Sequence, residues 1–297
     1  MIPKTLIPLV SASANNEELP KVISGSWVTL ICLIGLLVVA YASALRTMVG
    51  AWLDENANME HGILAPVVFG LIVWQKRHIL RTLPRSHTRW GIGLVAWGIL
   101  QSVADRVTQG VWGTEVGFLI ALIGCVWATY GFRVVRELAY PFLVLFLMIA
   151  PPQYLYERLT LKLQLLASQL GEFSLEAIGY SVLREGNVLE LVGEKLAVAE
   201  ACSGIRSLLA LLFLCVTYNY FFVPQRWIRA GLLGLVVPIA ILCNAARILA
   251  TGVVSQYNRE LAHGMLHATF GYTALIIGSA LLLLVHLTLK PRESRYA

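Results

Sequence analysis

Residues 228–252 read I-R-A-G-L-L-G-L-V-V-P-I-A-I-L-C-N-A-A-R-I-L-A-T-G. From Ala230 to Cys243 no side chain is charged, and the run approaches the roughly 20 apolar residues that cross a hydrocarbon core of about 30 Å. Runs of the same kind recur at about 27–45, 60–75, 90–104, 111–130, 134–150, 204–222 and 268–289. The 297-residue chain as a whole is 58% hydrophobic and 13% charged, against about 45–50% and about 25% for soluble domains. The expected fold class is an all-α integral membrane protein. It comprises a bundle of about eight transmembrane helices with an outer-face amphipathic helix and a small β-hairpin. A single polytopic domain is expected over 1–297, with an outer-face insertion at about 151–203.

The formal charge of +6 comes from basic residues scattered among short loops. That pattern fits the positive-inside rule and excludes a nucleic-acid face. Five cysteines give an odd count without metal-ligand spacing. Four of them (Cys32, Cys125, Cys215, Cys243) sit within apolar runs, where cysteine behaves as a small hydrophobe. Only Cys202 has polar neighbours.

Loop charge orients the chain. Lys76, Arg77, Arg81, Arg85 and Arg89 occupy one loop without an acid; Arg133 and Arg136, Arg226 and Arg229, and the tail follow the same sign. The alternate connections carry Asp54, Glu55 and Glu60, or Asp105 and Glu115. Eight spans satisfy the alternation and put both termini in the cytoplasm of an inner-membrane protein. Ala42-Ser43-Ala44 resembles a signal-peptidase site, but the preceding run is long for a signal peptide and is read as an uncleaved anchor.

The longest connection, 151–203, then falls outside. Pro151-Pro152 ends the preceding helix. From 154 to 180, Leu155, Leu159, Leu163, Leu166, Leu170 and Phe173 recur at three- and four-residue steps, the pattern of a helix lying along a membrane surface. Residues 187–201 alternate around V192-G193-E194-K195 as a β-hairpin that delivers the chain to Cys202.

Cys202 therefore enters the sixth span from the outer side. The seventh span starts inside near Ile228, and Arg247 lies roughly 28 Å further along, near the opposite surface, with Asn244 one turn earlier. The eighth span enters from outside as 263-HGMLHATFGY-272. A thiol, a guanidinium and an imidazole, remote in sequence, share one depth. Each has a plain alternative: Cys202 as packing, Arg247 snorkelling to lipid phosphate, an interfacial histidine. The flanking Ser203, Gly204 and Arg206 argue for chemistry at Cys202, because approachable backbone N–H groups at a helix N-terminus lower a thiol's pKa. The chemistry expected is acyl transfer: Cys202 as nucleophile, His267 as base and acid, Arg247 holding the oxyanion. Arg206 is a second candidate for the oxyanion, and spacing alone leaves His263 open beside His267.

The run 184-REGNVLELVGEKLAVAEACSGIRSLLALL-212, followed by N244-A-A-R247 and H267-A-T-F-G271, resembles the exosortase/archaeosortase family of multi-pass cysteine transpeptidases. The stretch 60-EHGILAPVVFGLIVWQKR-77 is similar to that family's N-terminal part. The resemblance maps the family's catalytic cysteine, arginine and histidine onto Cys202, Arg247 and His267. A histidine in the third place points to the bacterial exosortase branch.

The resemblance also implies the substrates: exported proteins ending in a short motif (often Pro-Glu-Pro), one transmembrane helix and a basic tail. Transfer would go to an acceptor nucleophile that the sequence does not identify. Neither a metal nor an organic cofactor is implied. Membrane lipids are expected neighbours, and nucleic acid is not. The alternative from another class is a transporter or exopolysaccharide-assembly scaffold with a polar path near Arg247 and His267.

Overall fold

A computed structural model describes residues 23–54, 57–84, 86, 88–108, 110–191, 194–198, 204–257 and 265–289. Side chains at 23–27, 194, 195, 197 and 265–268 fall outside that description. The helices are α1 (Ile23–Ala40), α2 (Ala42–Leu53), a 3-10 turn (Glu60–Ile63), α3 (Leu64–Gln75), α4 (Arg77–Thr82), α5 (Arg89–Val107), α6 (Trp112–Tyr130), α7 (Phe132–Glu137), α8 (Ala139–Phe146), α9 (Gln153–Ala177), α10 (Ile205–Phe222), α11 (Arg226–Tyr257) and α12 (Met265–Leu289). Three short strands, β1 (Val182–Glu185), β2 (Val188–Leu191) and β3 (Glu194–Ala197), separate α9 from α10.

Four helices among the described residues are long and apolar enough to cross a bilayer: α6, α10, α11 and the 269–289 part of α12. The pair α1–α2 makes a fifth if its 73° bend at Tyr41 lies within one span. Eight separate spans are not what the helices give. The 60–75 run is one apolar helix, Glu60–Gln75, that opens as a 3-10 turn and is shorter than the four crossing helices. The 134–150 run breaks between α7 and α8 because Pro141 cannot donate to the Glu137 carbonyl. Lys76 Nζ takes over that carbonyl at 2.9 Å and pairs with the Glu137 carboxylate at 2.6 Å. The third case, α5, has the length but carries Gln101, Asp105 and Arg106.

Glycine makes α5 and α6 an intimate antiparallel pair. A methyl group on Gly98 would sit 2.6 Å from the Gly117 carbonyl oxygen, and one on Gly124 would sit 2.9 Å from that of Gly91. Small residues one heptad apart on each helix thus let the backbones touch, the usual device where lipid gives no hydrophobic drive to association. Asp105 closes one end of the pair by accepting from the Thr114 N–H (2.8 Å) and hydroxyl (2.9 Å).

A first apolar core gathers α1–α3 and α6–α8 and includes Phe213 and Val216 of α10. A second joins α10, α11 and α12 through Leu211, Cys215, Ile228, Leu232, Val236 and Ala274. Helix α10 therefore belongs to both, and the Tyr140 hydroxyl fastens it by donating to the Val216 carbonyl at 2.7 Å. Contacts sort the loops to two ends. The Lys76 ammonium lies 5.8 Å from the Tyr220 ring and is paired with Glu137, so the basic loops meet at one end. Asn58, Asp105 and the start of α10 lie at the other.

The connection 151–203 contains the expected amphipathic helix as α9, 25 residues long. The expected hairpin is one strand larger: the sheet order is β1-β2-β3, antiparallel throughout. Its first turn uses Gly186 at φ +63. The segment is packed along α11: Ala167 and Leu175 of α9 and Leu189, Leu191 and Leu196 of the sheet share a core with Ile248. A methyl on Gly171 would meet Ile248 Cγ2 at 2.7 Å.

Candidate active site

Helix α11 is the site's spine. Its buried positions, including Ile228, Leu232, Val236, Ala240, Asn244, Arg247, Thr251 and Ser255, recur at three- and four-residue steps along its 32 residues. The face is apolar up to Cys243 and beyond it also carries Asn244, Arg247, Thr251 and Ser255. Asn244 is 2% and Arg247 8% exposed, so the guanidinium faces the bundle and does not snorkel to lipid. A charge on the interior face of a membrane bundle is a costly group that ordinarily serves function.

Two glycines carry the neighbouring helices onto those side chains. Gly204, the residue before α10, adopts φ +87, and a methyl there would lie 3.0 Å from Asn244 Cγ. Gly271 of α12 faces the Arg247 guanidinium, with Cζ 3.6 Å from where its Cβ would be. His267 is four residues earlier on α12, so its backbone position shares the Gly271 face.

Cys202, Ser203 and His263 lie outside the described residues, as does the His267 side chain. The anchors on both sides of 199–203 are described. Val198 is 1% exposed in the Ile248 core. Its N–H donates to the Asn187 carbonyl at 2.8 Å, and its carbonyl accepts from Asn187 Nδ2 at 3.2 Å. Gly204 follows against Asn244. The residues flanking this segment are thus Val198, in the core that includes Ile248, and Gly204, against Asn244.

Arg206, the second oxyanion candidate, is otherwise engaged. Its Nε donates to Asn58 Oδ1 at 2.7 Å and lies 3.4 Å from the Glu60 carboxylate. Asn58 Nδ2 in turn donates to the Tyr156 hydroxyl at 2.7 Å. Asn58 is 2% exposed at φ +56, a conformation asparagine tolerates better than most residues. One amide thus ties the loop before α3, the platform helix α9 and the first turn of α10. Sequence reasoning missed Asn58 and Tyr156. The legible signal was Glu60-His61-Gly62, in which Gly62 leaves room for the Trp52 indole, itself bonded to the Met148 carbonyl at 3.0 Å.

At the far end of the same bundle the Tyr218 hydroxyl lies 2.5 Å from His286 Nδ1, joining α10 to α12. Arg229 Nε donates to the Val223 carbonyl at 2.5 Å, and Asn219 Nδ2 to the Arg229 carbonyl at 3.3 Å. These bonds hold the α10–α11 turn.

No significant match was found among curated proteins or among solved structures. The family model for the transmembrane exosortase matches residues 52–284, a span that includes Asn58, Arg206, Asn244, Arg247 and Gly271. With its apolar crossing helices and this match over most of its length, the chain is a multi-pass membrane protein that belongs to the transmembrane exosortase family.

Proposed function

We propose that the protein is a membrane cysteine protease and transpeptidase that cleaves the C-terminal sorting signal of exported proteins through a thioester on Cys202. Family membership supports the reaction class. The observation that carries the site is the convergence on α11: Gly204, two residues after Cys202, abuts Asn244, and Gly271, one turn after His267, abuts Arg247.

In the first half-reaction the Cys202 thiolate attacks the scissile carbonyl carbon. Arg247 meets the oxygen that becomes negative, a contribution worth about 10²–10³ in rate per donor. The C–N bond breaks, protonated His267 gives its proton to the leaving amine, and a thioester remains. An acceptor amine or water then attacks the thioester carbonyl and loses its proton to the histidine. The thiolate departs. His263 is the alternative for that imidazole. Ser203 and Asn244 support the pocket, while the engagement of Arg206 with Asn58 and Glu60 favours a supporting part for it over the oxyanion.

The substrate's transmembrane helix would lie against the apolar faces beside α9, where Tyr154, Leu155, Leu161 and Phe173 are exposed. The end carrying Asn58 and Gly204 is read as the outer side of the inner membrane, since the basic loops meet at the opposite end. Helix α5 follows α6 along its glycine face and is read as crossing with it.

A transport path or an assembly scaffold would call for polar residues through the buried face of α11. Below Asn244 that face is Cys243, Ala240, Ile239, Val236, Leu232 and Ile228. The test is co-expression of an exported reporter ending in Pro-Glu-Pro, a helix and a basic tail. Tail processing by the wild type and its loss in Cys202→Ala is the expected result; equal processing by both refutes the proposal.

A further inference from the structure

A groove of about 250 Å³ opens at the basic end of the molecule, far from Arg247. Its walls are apolar, with Ile34 of α1, Phe69 and Val73 of α3, Leu122 of α6 and Phe142 of α8 among them. Only one end is charged, by Arg77 and Arg81 of α4. From Phe69 to Arg77 the groove follows roughly 12 Å of helix, at about 1.5 Å per residue. Its chemistry is graded, from hydrocarbon-like to cationic, along the direction in which a lipid runs from chain to headgroup.

Among the described residues, the groove lining holds no acid. Residues 76–89 contain no acid, and residues 131–138 contain only Glu137. That carboxylate is paired with Lys76 at 2.6 Å. Arg133 and Arg136, exposed on either side of the groove residue Val134, add to the same sign. Arg77 is stacked 4.3 Å from the exposed Trp74 ring and donates to the Trp74 carbonyl at 3.0 Å. Tryptophan is enriched at headgroup depth in a bilayer.

We propose that this groove is a binding site for an anionic glycerophospholipid, its phosphodiester at Arg77 and Arg81 and one acyl chain between α1, α3, α6 and α8. A free phosphate would satisfy the arginines and leave the apolar trough open. A zwitterionic lipid would bring a cation to a mouth that already has an excess of them. Basic pockets between transmembrane helices recognise anionic headgroups on these grounds. The site is independent of the proposed chemistry and would hold α1 against the α3–α4 corner.

The test uses the purified full-length protein in neutral detergent, with phosphatidylglycerol, phosphatidylcholine of the same acyl chains, or glycerol phosphate added. Bound lipid is counted by native mass spectrometry and stability is followed by thermal unfolding. Phosphatidylglycerol is expected to persist as a one-to-one adduct and to raise Tm above the phosphatidylcholine value, while glycerol phosphate does neither. Arg77→Gln with Arg81→Gln should weaken retention about tenfold or more, from the loss of charge-assisted bonds, and Arg226→Gln should not. Should the double variant fail to fold, Val73→Trp blocks the trough with both arginines present, and the same loss is expected. Equal retention of the two lipids, or full retention in either groove variant, overturns the proposal. So does an advantage for phosphatidylglycerol that appears only in Glu17→Gln with Glu18→Gln, since the arginines would then belong to the chain's own N-terminal acids.

Discussion

Gly204 lies closely against Asn244: a methyl in its place would stand 3.0 Å from the amide carbon and 3.2 Å from Nδ2, so the Asn244 side chain would have to give way. The same residue holds φ +87, where an L side chain is strained by about 1–2 kcal/mol. Gly204→Ala should therefore leave the protein in the membrane but shift the segment bearing Cys202. A displacement of about 1 Å can cost about 10² in rate, and reporter processing is expected to fall by about that much. Comparing processing with the amount of folded protein checks it.

Arg247 and lysine differ in what they offer a developing oxyanion: a planar fork of donors against one mobile ammonium. Arg247→Ala is expected to lower processing about 10²–10³-fold. Arg247→Lys should recover only part of that, although the charge is kept. Initial rates of tail release from the reporter make the comparison.

The Asn58 bridge predicts coupling between distant positions. Asn58→Ala removes one hydrogen bond from Arg206 and one from Tyr156 and should destabilise by about 1–3 kcal/mol. In a double-mutant cycle with Tyr156→Phe the two effects should fall short of adding by about 0.5–3 kcal/mol. Denaturant unfolding of the purified protein gives the cycle.

Close backbone contact between α5 and α6 gives a prediction unrelated to chemistry. Gly98→Val puts a branched side chain where even Cβ would be 2.6 Å from a carbonyl oxygen. The helices must separate, and Tm in detergent should drop by several degrees, in line with overpacking costs of about 1–3 kcal/mol. Processing per folded molecule should be unchanged.

How much of this was legible in the sequence depended on whether the deciding interaction was local. The apolar run of α11 and the three- and four-residue spacing in α9 are local patterns, and both helices form where expected. The buried setting of Asn244 and Arg247 follows from their place on the α11 stripe. The break between α7 and α8 was less visible. Pro141 sat in plain view, yet in membrane helices proline is often absorbed. What decides at Pro141 is Lys76, 61 residues earlier in the chain, capping the freed carbonyl. The partner of Arg206 was hidden for a related reason: Asn58 is 148 residues away in the chain. A third strand was missed because Val182, Leu183, Arg184 and Glu185 run as two apolar then two charged residues, so the alternating burial of β1 does not show in the sequence.

The central claim is that Cys202 carries the cleaved substrate, and the most direct measurement is the mass of the Cys202 peptide after rapid acid quenching of enzyme with reporter. The account predicts an adduct equal to the reporter truncated at its sorting signal, released by hydroxylamine as a thioester and absent from Cys202→Ala. Turnover of the reporter with no such adduct, continuing in Cys202→Ala, would contradict it.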